Sequence, residues 1–402
     1  MGRKRIACAV LLLCCLALLT GCGGGQEIES CLFVLALAVD PAPDGNLTVT
    51  VKALSGTQEA ASGASGDSRS SGMPGDESQS PQDGKESRIE ETEPGYIVMS
   101  ATAASCLRAL SLLSATTPRT VNLSQLREVV ISETLARTDA ALPILKEIYA
   151  MYRANAEAVV VVTPDDAGDF IRRQRAILGV RLSKYLEVLF DHYARMDIIP
   201  PYAQLSRVIE AMESGVTDAA AVYAAGNRFD SELVLSGVSD LDRLPGHLPR
   251  TSPAENEYLG SALFSGPRMT GTLTGEETGI LCLMMGKAQR RTTFIGNAQY
   301  KTNTHTRVKR RILQGKTLDV SIRMNLTRIA GSEQTPAGEI SRQIETQCVN
   351  VLRKLQAASC DAAGFGMLAV RKYPDIPSWE RAQWRLQYET MPVQAAADVN
   401  VL

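Results

Sequence analysis

Apolar positions change period several times along this chain, and each change marks an element. Residues 6–20 are apolar and uncharged behind Arg3, Lys4 and Arg5, and the run closes with Leu19-Thr20-Gly21-Cys22. It is shorter than the roughly 20 residues a spanning helix needs, so it predicts a secretory signal over residues 1–21. The closing tetrapeptide reads as a bacterial lipobox, in which small residues admit a peptidase and the Cys22 thiol takes diacylglycerol. Each buried methylene adds about 0.8 kcal/mol, so two or more acyl chains would hold the mature protein firmly on a bilayer. Behind the Gly23-Gly24-Gly25 tether, residues 32–39 are continuously apolar. Asp44-Gly45 and an alternating run at Leu47, Val49, Val51 and Ala53 follow. That order predicts a hairpin whose first strand is buried on both sides.

Residues 55–88 hold no Val, Ile, Leu, Cys or aromatic residue. Such a stretch cannot offset its chain entropy by burial, and 55–94 is expected to be a disordered insertion reaching roughly 30 Å end to end. Beyond it the pattern predicts a helix over 98–113, a strand over 126–132, a helix opened by Asp139, a strand over 158–162 and a short helix to about Ile171. Leu186, Leu189, Phe190 and Tyr193, then Leu205, Val208, Ile209 and Met212, line two helices separated by Pro200-Pro201. Residues 240–253 read as a loop. Strands over 258–264 and 269–273 precede a helix over about 276–285. Leu318, Val320, Ile322, Met324 and Leu326 alternate with polar residues in a long half-buried strand, beside a polar and basic strand over about 300–313. Ile340, Ile344, Cys348, Val351, Leu352 and Leu355 mark a long amphipathic helix, and 393–401 a terminal strand. The fold class is mixed α/β (α+β), with mixed sheets flanked by helices and a last domain of antiparallel strands on one long helix. The expected divisions are 22–178, 179–288 and 289–402.

Composition narrows the function. The formal charge is −2, and loss of the basic signal leaves the mature chain at about −5, which excludes a nucleic-acid binder. Cysteines 22, 31, 106, 282, 348 and 360 survive maturation with no C-x-x-C pair, so neither a redox motif nor a zinc ribbon is present. A Cys348–Cys360 disulfide stays open at this stage. His192, His247 and His305 lack H-x-x-x-H or H-E-x-x-H spacing, and neither a G-x-S-x-G elbow nor a phosphate loop occurs. Glu276 and Glu277 open a helix, where acids relieve the dipole. Asp361 opens a turn too poor in oxygens for a metal. Trp379 and Trp384 read as core anchors. Arg307, Lys309, Arg310 and Arg311 form a basic run that suits an exposed strand, or a face turned to anionic headgroups. No catalytic residue, metal or cofactor is expected.

The order of these features resembles the Ger(x)C lipoproteins, the C subunits of bacterial spore germinant receptors, over nearly the whole mature chain. The similarity is carried by Phe33-Val34-Leu35-Ala36-Leu37-Ala38-Val39-Asp40, by the passage from Arg127 through Ile131 to Ala136, and by Gly260-Ser261-Ala262-Leu263-Phe264. Met269-Thr270-Gly271-Thr272-Leu273 with Glu276-Glu277-Thr278 continues it. Asp361, Gly364-Phe365-Gly366, Tyr373-Pro374, Trp379 and Trp384 close it. The glycines after Cys22 and the Gly/Ser insertion depart from that family's pattern. The resemblance implies three mixed α/β domains, no catalysis, and assembly with two polytopic membrane subunits on the outer face of the spore inner membrane, with no small-molecule ligand on this subunit. A solute-binding lipoprotein would need two similar lobes around a cleft. An envelope hydrolase would have to act through His192 or His305.

Overall fold

The computed structural model describes residues 2, 30–55, 90–93, 95–151, 153–228, 241–288, 292–295, 298–302, 306–331 and 335–402. Cys22, the glycine tether, residues 56–89 of the insertion and His305 lie outside them.

Strand β1 (Cys31–Pro41) is apolar from Cys31 to Val39 because both its faces are covered. Leu32, Val34, Leu37 and Val39 face one layer of helices, and Leu35, Ala36 and Ala38 face another. A turn with Asp44 at φ 59° and Gly45 at φ 72° leads into β2 (Leu47–Leu54), the expected hairpin. Then come β3 (Glu90–Glu93) and β4 (Tyr96–Ala103). Two expectations are corrected here. Residues 90–93 of the predicted disordered stretch pair with β4, and the predicted helix over 98–113 begins as a strand. All eight residues of β4 pair in register with β2, and helix α1 (Cys106–Ala115) starts only after Ser105, whose hydroxyl caps the Arg108 N–H. A short apolar run carries no fixed period, so pairing with a neighbour decided its state.

Next along the chain are β5 (Thr120–Asn122), β6 (Glu128–Ser132), α2 (Glu133–Ala136), α3 (Ala141–Ala150), β7 (Val159–Thr163), α4 (Ala167–Arg173), α5 (Leu182–Arg195) and α6 (Leu205–Glu213). Strands β8 (Ala220–Gly226), β9 (Asn256–Ser265) and β10 (Arg268–Leu273) complete a ten-stranded sheet in the order β10-β9-β8-β7-β6-β1-β2-β4-β3, with β5 beside β1. The β1, β6, β7 and β8 ladders are parallel and the outer ones antiparallel. Helices α1, α3 and α6 cover one face and α4 and α5 the other. This sheet runs through position 178, so residues 22–178 and 179–288 share it.

Helix α7 (Gly275–Met284) is buried on nearly every side, between β9 and β10 of this sheet and the second sheet. Residues apolar all round a helix suit that position. The second sheet holds β11 (Thr292–Ile295), β12 (Ala298–Thr302), β13 (Arg307–Leu313) and β14 (Thr317–Ala330). Long helix α8 (Ala337–Ala357), α9 (Gly366–Ala369), α10 (Ile376–Ala382) and α11 (Trp384–Thr390) precede β15 (Val393–Val401). The polar strand expected over 300–313 is two strands, β12 and β13, each antiparallel to β14, and β15 joins β14 in parallel. The six predicted apolar positions of α8 all meet the inward row of β14 in one core.

Candidate functional site at the junction of the sheets

The two sheets are fastened where segment 214–219, which leads into β8, meets the loop after α8. Asp361 stands at the start of that loop, 2% exposed. Its Oδ1 accepts the Phe365 N–H at 2.9 Å, and its Oδ2 accepts the Gly366 N–H at 2.5 Å and the Trp384 indole N–H at 3.2 Å. Gly364, at φ +75°, makes the turn that aims these amides inward. Gly366 allows the close approach: a Cβ there would lie 1.8 Å from the Val216 carbonyl oxygen.

Asp218 answers from the first sheet, 7% exposed. Its Oδ2 accepts the Asp361 N–H at 2.9 Å, and its Oδ1 accepts the Gly266 N–H of the β9–β10 turn at 3.1 Å and Arg385 Nη2 at 2.5 Å. The Thr217 hydroxyl donates to the Asp361 carbonyl at 3.0 Å. Two buried carboxylates thus tie the 214–219 segment, the β9–β10 turn, the loop after α8, and α11. Trp379 donates to the Gly215 carbonyl at 3.3 Å and stacks on Trp384, ring centroids 6.1 Å apart. Burial pushes the Asp361 carboxyl up to about 7, against the pull of its amide and indole donors. Arg310 donates to the Ala363 carbonyl, and burial lowers its pKa although Asp361 favours its charge.

Two open cavities of about 480 Å³ flank this latch. One is lined by Asp218, Trp379, Trp384 and Arg385, the other by Tyr202, Met285, Arg310 and Met367. Two family models match this sequence. "Spore germination protein N-terminal domain" covers residues 24–225, and "Spore germination B3/GerAC like, C-terminal" covers residues 259–402. The chain belongs to the GerAC family of spore germination proteins. The solved GerBC protein is similar at 15% identity and a TM-score of 0.46, over 91% of this chain and 96% of that one. A comparison with curated proteins returned no match.

In this GerAC family chain, Asp361, Phe365, Gly366, Trp379 and Trp384, singled out in the sequence, come together at the latch. Asp218 and Arg385, which complete it, carry no sequence signal: each is one charged residue with its partners far away along the chain. Glu277 forms a capping box with Thr274 and reaches Lys354 of α8 at 2.7 Å, so its role is structural, joining α7 to α8. Cys348 and Cys360 are thiols, not a disulfide. His192 and His247 are exposed. Among the described residues no three His, Cys, Asp or Glu side chains are placed to hold a metal ion.

A second buried polar cluster, which the sequence did not disclose, lies inside the first sheet. Lys52 and Glu128, both 0% exposed, flank Ala36 on neighbouring strands. Lys52 donates to the Ile171 and Gln174 carbonyls, and Glu128 accepts from the Gln174 amide and the Tyr258 hydroxyl. Burial raises Glu128 to about 7, opposed by Gln174, Tyr258 and Lys52. Asp40, the end of the apolar first strand, accepts the Ala167 and Gly168 amides and so seats the start of α4. These groups hydrogen-bond one another and organise the core, with Gln174 Oε1 alone of the cluster left without a partner among the described residues.

Proposed function

We propose that this chain is the lipid-anchored C subunit of a spore germinant receptor, held at the outer face of the spore inner membrane by acyl chains on Cys22. It works there without catalysis, by scaffolding two polytopic membrane subunits or coupling their movements. The observation that carries this reading is the latch. Asp218 and Asp361 connect two differently built sheets through buried, directional hydrogen bonds, which suits transmission of force or position between surfaces. Family membership and the lipobox support the setting. Tethering confines the body to the plane of its partners and raises effective concentration, so modest interfaces suffice.

The solute-binding alternative needs two similar lobes. A ten-stranded mixed sheet and a five-stranded sheet of different order do not supply them. The test is affinity purification of the tagged chain from spore membranes. Two polytopic subunits should copurify, germination should fail on deletion, and Cys22→Ala should lose both acylation and recovery in the membrane fraction. Recovery of the chain alone, with germination intact after deletion, overturns the reading.

A further inference from the structure

We infer that the outer face of the C-terminal sheet is a docking surface for an anionic phospholipid bilayer. This rests on the lipid anchoring proposed above. One face of β14 is covered by α8; the other presents its alternate residues outward. Register places Arg307, Arg323 and Asp398 on one rung of β13, β14 and β15, Lys309, Ser321 and Ala396 on the next, and Arg311, Asp319 and Gln394 on a third. Lys301 of β12 lies on the same face farther along β14, opposite Thr327. Lys301, Arg307, Lys309, Arg311 and Arg323 are exposed. Arg323 pairs with Asp398 at 2.7 Å. Lys301, Arg307, Lys309 and Arg311 have no ion-pair partner among the described residues. Asp319, the other acid on this face, is buried and engaged by Ser321 and Gln394.

The strand period sets the three β13 cations about 7 Å apart along one row, a spacing at which each can reach a separate phosphate. The cationic row itself carries no apolar wedge, and the exposed Ile329 and Leu402 stand at the ends of β14 and β15, so the contact of the row is superficial and electrostatic. A bilayer is the favoured occupant because of where the chain is attached. Seven residues separate Cys22 from Ser30, and even fully extended that segment spans about 29 Å at most. A body of net charge about −5 held that close is repelled by an anionic leaflet, unless it turns a cationic face toward it. The C-terminal sheet supplies that face, and its apposition fixes which surfaces remain for protein partners.

The mature full-length chain carrying Cys22→Ser is mixed with vesicles of phosphatidylcholine alone or with added phosphatidylglycerol, and sedimented. Binding should require phosphatidylglycerol and fall with salt. The triple variant Arg307→Gln, Lys309→Gln, Arg311→Gln should bind about 100-fold more weakly with an unchanged melting temperature. Equal binding to both vesicle types, or binding unaffected by the triple variant, overturns the inference. So does a triple variant that binds vesicles normally but loses the polytopic subunits in spores, which would make the face a protein-docking surface. Mass spectrometry of Cys22 separates the two claims: a chain without acyl chains removes the anchoring reading, whereas the vesicle result judges the face itself.

Discussion

Asp361 shows how much one side chain can fix. Its carboxylate receives two backbone amides and an indole N–H in a site closed to water, so removing it strands three donors at once. Asp361→Ala should destabilise the protein by about 3–5 kcal/mol in chemical denaturation, far beyond a surface substitution. Gly366→Ala should be comparably damaging, because its Cβ would overlap the Val216 carbonyl and push the segment before β8 away. Glu128 makes a pH prediction. Its folded pKa is raised from 4.5 to about 7, so between those values the folded state holds the proton more tightly than the unfolded one. The stability this contributes is full below about pH 4.5 and disappears as pH rises through about 7. Glu128→Gln keeps the side-chain shape and one of the two acceptor oxygens but cannot titrate. Denaturation midpoints measured from pH 4 to 8 should therefore fall less steeply in the variant than in the parent, and parallel curves would remove Glu128 as the source.

At the scale of elements, legibility followed burial. Strand β1, both hairpin partners, helix α8 and strand β14 were readable because a single covered stripe, or full cover, imposes a clean period on the sequence. Strand β8, Ala-Ala-Val-Tyr-Ala-Ala-Gly, left no such mark. Its alanines let helices pack closely on both faces of the sheet, and alanine carries no strand signal of its own. Strand β4 reads as helix from Val98 onward because its period-2 pattern is short and runs straight into a capped helix. Helix α7 is legible at its start through Glu276 and Glu277, though not as the element between the sheets, and the structure adds the capping box of Thr274 with Glu277. The reciprocal hydrogen bonds of that capping box leave a specific expectation: Thr274→Ala should cost about 1 kcal/mol in denaturant unfolding. Lys354→Ala, which removes only a partly exposed ion pair, should cost less. An inverted order would mean the α7–α8 bridge outweighs the cap.

For the whole molecule, the site was half legible, because sequence order shows the aromatic and glycine signature near Asp361 but not its long-range complement. Asp218 and Arg385 are separated by more than a third of the chain, and pairing at that distance leaves no local pattern. The consequence is mechanical. Three apolar clusters hold the two sheets, and in the C-terminal one the buried first-sheet residues Leu263 and Leu273 meet α7 and the second sheet, with partly buried Val216 and Ala220 beside them. Apolar contact across the junction runs mainly through α7, and the polar latch adds directional coupling between the halves. Asp218→Ala removes the acceptor for Asp361 N–H, Gly266 N–H and Arg385 in one step, while leaving both cores intact. Calorimetry should then resolve one parental transition into two, the lower belonging to the C-terminal sheet, and Arg385→Ala alone should lower the melting temperature without splitting it, since the two backbone donors to Asp218 remain. A single transition for Asp218→Ala, merely shifted downward, would mean that α7 and its apolar contacts couple the sheets and that the carboxylates serve only local packing.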